Sequence, residues 1–239
     1  MKFEFLKVND PSDKIYKEKK IIWDLPFRVA LISKSQHGLG KTTVILNLLL
    51  RDKFYGKDFE GEDIYIISNN KVDKKLSLLM EEKDIPSSNF MSFDEAKLEA
   101  LYEILEDDFL DEKKKRNRLI IFDDVAYSSD LKNNNSIISK IVMNGRHINL
   151  SSLFTSQKYS LLSTGLRSNL TGAMIGNLSN KELDLVAEDY NFLPSGKKSE
   201  FIKKFREVVK DKRDALIINF TNTPEEGLYL DKNFNKVFT

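Results

Sequence analysis

The feature that most constrains this 239-residue chain is Ser35-Gln36-His37-Gly38-Leu39-Gly40-Lys41-Thr42, set between two apolar segments. Before it, Phe27 to Ile32 (FRVALI) is short, apolar and partly β-branched, which predicts a buried strand. After it, Lys41 to Leu50 (KTTVILNLLL) predicts a helix packed on several sides. Strand, loop and helix in this order match the phosphate-loop pattern G-x-x-x-x-G-K-[ST], with Ser35 in place of the first glycine. Chemistry accounts for the residue types. Backbone N–H groups from Ser35, Gln36, His37, Gly38, Leu39 and Gly40 through to Thr43 wrap phosphates, and the helix adds the positive end of its dipole. Gly40 lets the backbone come close, Lys41 reaches the β- and γ-phosphates, and the Thr42 hydroxyl ligates Mg²⁺. The His37 side chain reads as a solvent-facing loop residue.

The rest of the chain alternates strands with helices, the pattern of an α/β domain with a largely parallel sheet flanked by helices. Further strands are expected at Ile64 to Ser68, Phe90 to Phe93, Leu119 to Phe122, Ile148 to Thr155, Ala173 to Gly176 and Ala215 to Phe220, the last paired with Gly227 to Leu230. Helices are expected over Lys71 to Glu82, from an Asp94 N-cap to about Asp108, and over Ser136 to Asn144, Asn180 to Asp189 and Ser199 to Lys210. The expected organisation is a polar lead-in over residues 1–26, a core over 27–195, and a C-terminal basic helix with late strands packed on it over 196–239.

The apolar run Leu119-Ile120-Ile121-Phe122 delivers Asp123 and Asp124 at its C-terminal end. Ligands of open α/β sheets bind outside the carboxyl ends of strands, so the two acids and the phosphate loop converge if both strands share a sheet. Asp123 then holds Mg²⁺, and Asp124 orients or deprotonates the attacking water. Further on, Gln157 stands at the end of a strand, where a polar group senses the γ-phosphate. Phosphoryl transfer needs added positive charge as it proceeds, and Arg146 and Arg167 are candidates to supply it from a neighbouring subunit. Spacing alone does not separate that role from a helix C-cap for Arg146 or a surface ion pair for Arg167.

Composition narrows the classes. There are no cysteines, which excludes disulfide scaffolds, thiol catalysis and Cys-ligated zinc, and only two histidines, His37 and His147. Lys plus Arg is 38 against 37 Asp plus Glu, so any polyanionic partner must be met by a local patch. Two patches offer themselves, Lys113 to Arg118 and the basic residues between Lys197 and Arg213. No run approaches the roughly 18 apolar residues of a membrane span, and the chain reads as soluble and intracellular.

In order, ISKSQHGLGKTT, LIIFDD, NGRHINLSSLFTSQKYS and LLSTGLRSNL resemble the genome-packaging ATPases of the FtsK/HerA superfamily, most closely the poxvirus-type enzymes of large DNA viruses, virophages and membrane-containing tailless phages. The likeness covers about Phe27 to Gly176. It implies a P-loop NTPase of the ASCE, RecA-like type, with an extra strand ending at Gln157 between the Walker A and Walker B strands. It also implies an ATP- and Mg²⁺-dependent motor, a hexamer or pentamer, that drives double-stranded DNA into a preformed capsid. Its partners would be sequence-tolerant DNA contacts and capsid-vertex, portal or membrane proteins, and its place the virion or the host-cell cytoplasm. Asp124 stands where many members carry glutamate. No compact acidic cluster follows Gly176, so a terminase-type nuclease is not expected. The competing readings are another DNA-pumping motor or helicase of this superfamily, a P-loop small-molecule kinase, and a nucleotide-binding scaffold without turnover.

Overall fold

The computed structural model describes residues 22–34, 38–71, 73–111, 116–124 and 136–238. Strand β1 (Arg28–Ile32) is followed by α1 (Lys41–Leu50), β2 (Ile64–Ser68), α2 (Lys74–Glu82), β3 (Phe90–Met91) and α3 (Glu95–Asp111). Then come β4 (Arg118–Asp123), α4 (Ile137–Asn144), β5 (Leu150–Ser156), α5 (Thr164–Ser168), β6 (Gly172–Ile175), α6 (Asn180–Tyr190), α7 (Lys198–Val208), β7 (Leu216–Asn219) and β8 (Tyr229–Leu230). The strands form one sheet in the order β3-β2-β4-β5-β1-β6-β7-β8. The first six run parallel, and β7 and β8 close the edge antiparallel. The inserted β5 therefore lies between the strand before the phosphate loop and the strand that ends in the acids.

Because parallel strands are covered on both faces, their sequences read as apolar runs instead of alternations. All seven residues of β5 are buried, polar and apolar alike. One face of the sheet packs on α1 and α2 through Val29, Leu31, Ile66, Ile121 and Leu153. The other packs on α3 to α7 through Ala30, Ile32, Ile120, Phe122 and Phe154. Phe122 and Phe154, partners across β4 and β5, stack with centroids 4.7 Å apart. That contact lies one residue below the acids and holds the two strand ends in register.

Several local predictions shift for physical reasons. Asp73 caps α2 by accepting from the Lys75 and Leu76 amides, so the helix begins at Lys74, three residues later than its composition suggests. The expected strand at Ile148 starts instead at Leu150: Gly145–Ile148 makes a 3₁₀ turn, and Asn149 adopts a left-handed conformation (φ 54°) that redirects the chain. The late strand pairs with β8 as expected, and also with β6, both in the antiparallel sense. The residues just ahead of β1 are tightly packed. Trp23 is fully buried, its indole N–H donates to the Ile218 carbonyl at 2.9 Å, and Tyr55 Oη donates to its carbonyl at 2.7 Å. A Cβ on Gly172 would lie 1.9 Å from the indole nitrogen, so only glycine fits under this ring.

Candidate nucleotide site

The register of β1, β4 and β5 sets their C-terminal ends side by side, with Leu31 opposite Thr155 and Phe122 opposite Phe154. Ser33 leaves β1 fully buried and braces the loop from within: its hydroxyl accepts from the Leu39 amide at 2.8 Å. A Cβ on Gly38 would lie 1.9 Å from the Lys34 carbonyl oxygen, which explains the glycine there. Gly40 takes φ 75°, a conformation open to glycine, and starts α1. Ser35, Gln36 and His37 lie outside the described residues.

Lys41 Nζ donates to the Ser33 carbonyl at 3.2 Å and sits 3.8 Å from Asp124 Oδ1. The ammonium is thus held over the strand ends by one carbonyl and one carboxylate. Thr155, on β5, ties the acids in place: its hydroxyl donates to Asp123 Oδ1 and accepts from the Asp124 amide, both at 2.8 Å. Burial pushes the Asp123 carboxyl above its ordinary value; the Thr155 hydrogen bond and Lys41 oppose that rise, and Asp124 adds to it. Asp124 has φ 48°, a strained backbone for a non-glycine residue at the point where the chain leaves β4. Gln157 Nε2 donates to Asp124 Oδ2 at 3.3 Å, and Asp124 Oδ1 is buried with no hydrogen bond among the described residues.

These groups face an open cleft of about 350 Å³ lined by Gly40, Lys41, Thr42, Asp123 and Asp124 on one side and by Asn70, Lys71, Asp73 and Lys75 on the other. Its cationic lining, Lys34, Lys41, Lys71 and Lys75, suits a polyphosphate. The donors facing it at Thr42, Asp123 and Asp124 are all oxygen, the set that a hard divalent cation such as Mg²⁺ selects, and Asp124 Oδ1, which faces Lys41 but accepts no hydrogen bond among the described residues, has a lone pair to spare. Thr43, expected to join the phosphate contacts through its backbone, uses its hydroxyl to accept from Lys75 Nζ at 2.7 Å.

The two arginines part company. Arg167 donates to Asp189 Oδ2 at 2.7 Å and to Thr164 Oγ1 at 3.2 Å, and its guanidinium lies 4.7 Å from the centre of the Tyr159 ring. Tyr159 also donates to Asp189, and burial drives the Tyr159 phenol far above its ordinary range. Arg167 is therefore bound within its own subunit. Arg146 is exposed, and its one side-chain bond among the described residues is with the adjacent His147, Nε to Nε2 at 3.3 Å. The basic patches also divide. Lys113 to Lys115 lie outside the described residues, while Arg116 pairs with Glu62 and Asp63, and Arg118 is buried against Asp63 and Asp108. That end of the patch faces inward and holds the fold. Lys203, Arg206 and Lys210 form an exposed stripe along α7 and just past its end, opposite the buried Phe201 and Phe205.

Sequence reading passed over Thr155, Lys34, Asn70, Lys71, Asp73 and Lys75. Thr155 reads as one more residue of a buried strand; only pairing of β4 with β5 puts it beside the acids. Lys34, Asn70, Lys71 and Asp73 come from connections and Lys75 from the first turn of α2, and only the packing of α2 beside α1 brings them to the cleft.

A parallel sheet with a phosphate loop after one strand, paired acids after another and a polar residue ending the strand inserted between them defines a P-loop ATPase of the ASCE type. The profile of the family described as Poxvirus A32 protein matches residues 14–229. The chain belongs to that family of poxvirus-type packaging ATPases. No curated protein sequence matches the chain. Among solved structures, the genome packaging NTPase B204 from Sulfolobus turreted icosahedral virus 2, in complex with ATP-γS, is 18% identical, with 82% of this chain and 93% of that one covered and a TM-score of 0.54. B204 described as the DNA-packaging ATPase from Sulfolobus turreted icosahedral virus is 13% identical over 82% and 94%, with a TM-score of 0.54. EssC (ATPases 2 and 3) from Geobacillus thermodenitrificans is 15% identical over 81% of this chain and 38% of that one, with a TM-score of 0.55. These likenesses show a shared fold. No helix among the described residues is long and apolar enough to cross a membrane.

Proposed function

We propose that the protein is the ATP-hydrolysing motor that moves double-stranded viral DNA into a capsid, turning over ATP at the subunit interfaces of a homo-oligomeric ring of six or five copies. The observation that carries the catalytic part is the convergence of Lys41, Asp124 and Gln157 at the shared edge of β1, β4 and β5. With ATP in the cleft, Lys41 exchanges its Ser33 and Asp124 contacts for oxygens of the β- and γ-phosphates. Thr42 and Asp123 would hold Mg²⁺, which would supply charge neutralisation at the phosphates. Asp124 accepts the proton of the attacking water, and Gln157, already bonded to Asp124, orients that water toward the γ-phosphorus. The products are ADP and inorganic phosphate.

Arg146 of a neighbouring subunit completes the charge complement; it is exposed and lightly held, whereas Arg167 is occupied by Asp189. The stripe of Lys203, Arg206 and Lys210 supplies sequence-tolerant contacts to DNA phosphates. Capsid-vertex, portal or membrane proteins would anchor the ring, in the virion or the host cytoplasm. The test is ATP hydrolysis by the purified protein with and without double-stranded DNA, beside Lys41→Ala. Turnover that depends on Lys41 and rises with DNA is the expected result. Phosphate transfer to a nucleoside acceptor in place of water would overturn the reading in favour of a kinase.

A further inference from the structure

The Gln157 side chain makes one bond among the described residues, its donation to Asp124 at 3.3 Å. Its aim therefore depends on the backbone to either side. Upstream that backbone is β5. Downstream the chain turns through Tyr159–Leu161, and α6 pins the turn. The Ser160 amide donates to Glu182 Oε2 and the Ser160 hydroxyl to Glu182 Oε1, both at 2.8 Å. On the premise that Gln157 orients the attacking water, we propose that Glu182 is a positioning residue for hydrolysis. It fixes the turn that carries Gln157, and so the reach of the Gln157 amide toward the γ-phosphate.

Local sequence offers Glu182 a different use. Ser179-Asn180-Lys181-Glu182 is the S-x-x-E pattern of a capping box, in which the glutamate reaches back to the amide of the cap serine. Half of the box forms: the Ser179 hydroxyl accepts from the Glu182 amide at 3.4 Å. The carboxylate turns instead to Ser160, 22 residues earlier in the chain, and each oxygen takes one of its donors. Glu182 is buried and has no cation paired with it among the described residues. Burying a carboxylate without a counter-charge costs stability, so helix capping alone does not account for it. What the charge adds is grip: hydrogen bonds to an ionised acceptor are shorter and about twice as strong as neutral ones.

The turn has a second anchor on the same face of α6. Asp189 lies two helical turns beyond Glu182 and accepts from Tyr159 Oη at 2.5 Å. Tyr159 is fully buried. At the head of the turn the buried Ser156 hydroxyl donates to the Lys158 carbonyl at 2.7 Å. Tyr159 and Ser160 are thus held by one helix, and Gln157 lies between that clamp and β5. The two anchors differ in kind. Asp189 holds the far end of a long side chain, whereas Glu182 holds the Ser160 backbone itself and so sets the path of the chain as it leaves Gln157.

Single-turnover hydrolysis, ATP affinity and a double-mutant cycle with Gln157→Ala separate positioning from folding. Glu182→Ala should lower the rate about a hundredfold, the cost of a small misplacement at the reacting centre, with ATP affinity unchanged. Glu182→Gln keeps an oxygen acceptor for one Ser160 donor and should recover most of that rate. In the Gln157→Ala background Glu182→Ala should cost nothing further, because the group it positions is gone. Ser160→Ala removes one hydroxyl bond at an exposed residue and carries the same test if Glu182→Ala does not fold. It should cost about tenfold in the parent and nothing beside Gln157→Ala. Equal losses in both backgrounds, or a matching loss of ATP affinity, would make Glu182 a residue of the fold and overturn the proposal. Parental turnover in the Glu182 and Ser160 variants would overturn it too. If Gln157→Ala itself hydrolyses ATP at the parental rate, the role given to Gln157 falls, and the proposal with it.

Discussion

At the phosphate end of the site, Lys41, Asp123, Asp124 and Gln157 all follow the C-terminal ends of three adjacent parallel strands. On the other side of the loop–helix junction, Phe54, Arg213 and Phe234 line a separate cavity and come from a turn after α1, the turn before β7 and the turn after β8. The first set is positioned by strand register, which a buried sheet holds to within a fraction of a residue step. The second is positioned by turns closing over α1, with two residues forced into left-handed backbone. A sheet edge places atoms for chemistry; turns shape the walls of a cavity. The two regions therefore fail differently, and mutations expose the difference.

The largest effects fall on the sheet edge. Lys41→Ala should abolish turnover. Asp124→Asn should lower the hydrolysis rate by about a thousandfold, as expected for a lost general base, while ATP stays bound. Single-turnover hydrolysis with a parallel ATP-binding measurement checks both; Asp124→Asn with parental turnover would remove that residue from the mechanism.

Next come the arginines. Arg146→Ala should cost about a thousandfold in turnover, the low end for an arginine supplied in trans. Raising ATP should not restore it, but mixing with Lys41→Ala subunits should, since each mutant supplies what the other lacks. Arg167→Ala should instead lower the melting temperature through loss of the Asp189 pair, worth about 1–2 kcal/mol, with turnover affected far less at low temperature. Reversed phenotypes would reverse the assignment.

Thr155→Val sharpens the comparison within the sheet edge. It preserves shape but removes both hydroxyl bonds, to Asp123 and from the Asp124 amide. Mg²⁺ dependence of hydrolysis should shift to roughly 10–100-fold higher metal concentration, the usual cost of losing a group that orients a metal ligand.

Much of the fold was legible because its signals are local. The span of β2 is as its IYIIS run predicts, and α1 begins at Lys41 where the loop ends. Asp94 caps α3 through the Lys97 amide as expected. What was illegible depends on pairing across the chain. Thr155 gains its place from β4, and Trp23 from Ile218, 195 residues away. Arg146 and Arg167 look equivalent in sequence because Asp189, which binds one of them, lies 22 residues further on. The walls of the second cavity were missed for the same reason: nothing local marks Phe54 and Phe234 as neighbours.

The smallest effect is the most diagnostic of the contrast between edge and turn. Arg213→Gly relieves a left-handed conformation at an exposed residue without removing a described side-chain bond. It should therefore stabilise the unliganded protein by up to about 1 kcal/mol, net of the entropy glycine adds to the unfolded chain. Thermal melts should show a small rise without ATP. A fall in the unliganded melting temperature would instead mean that Arg213 serves the fold, and that this turn is no more strained than the sheet edge it adjoins.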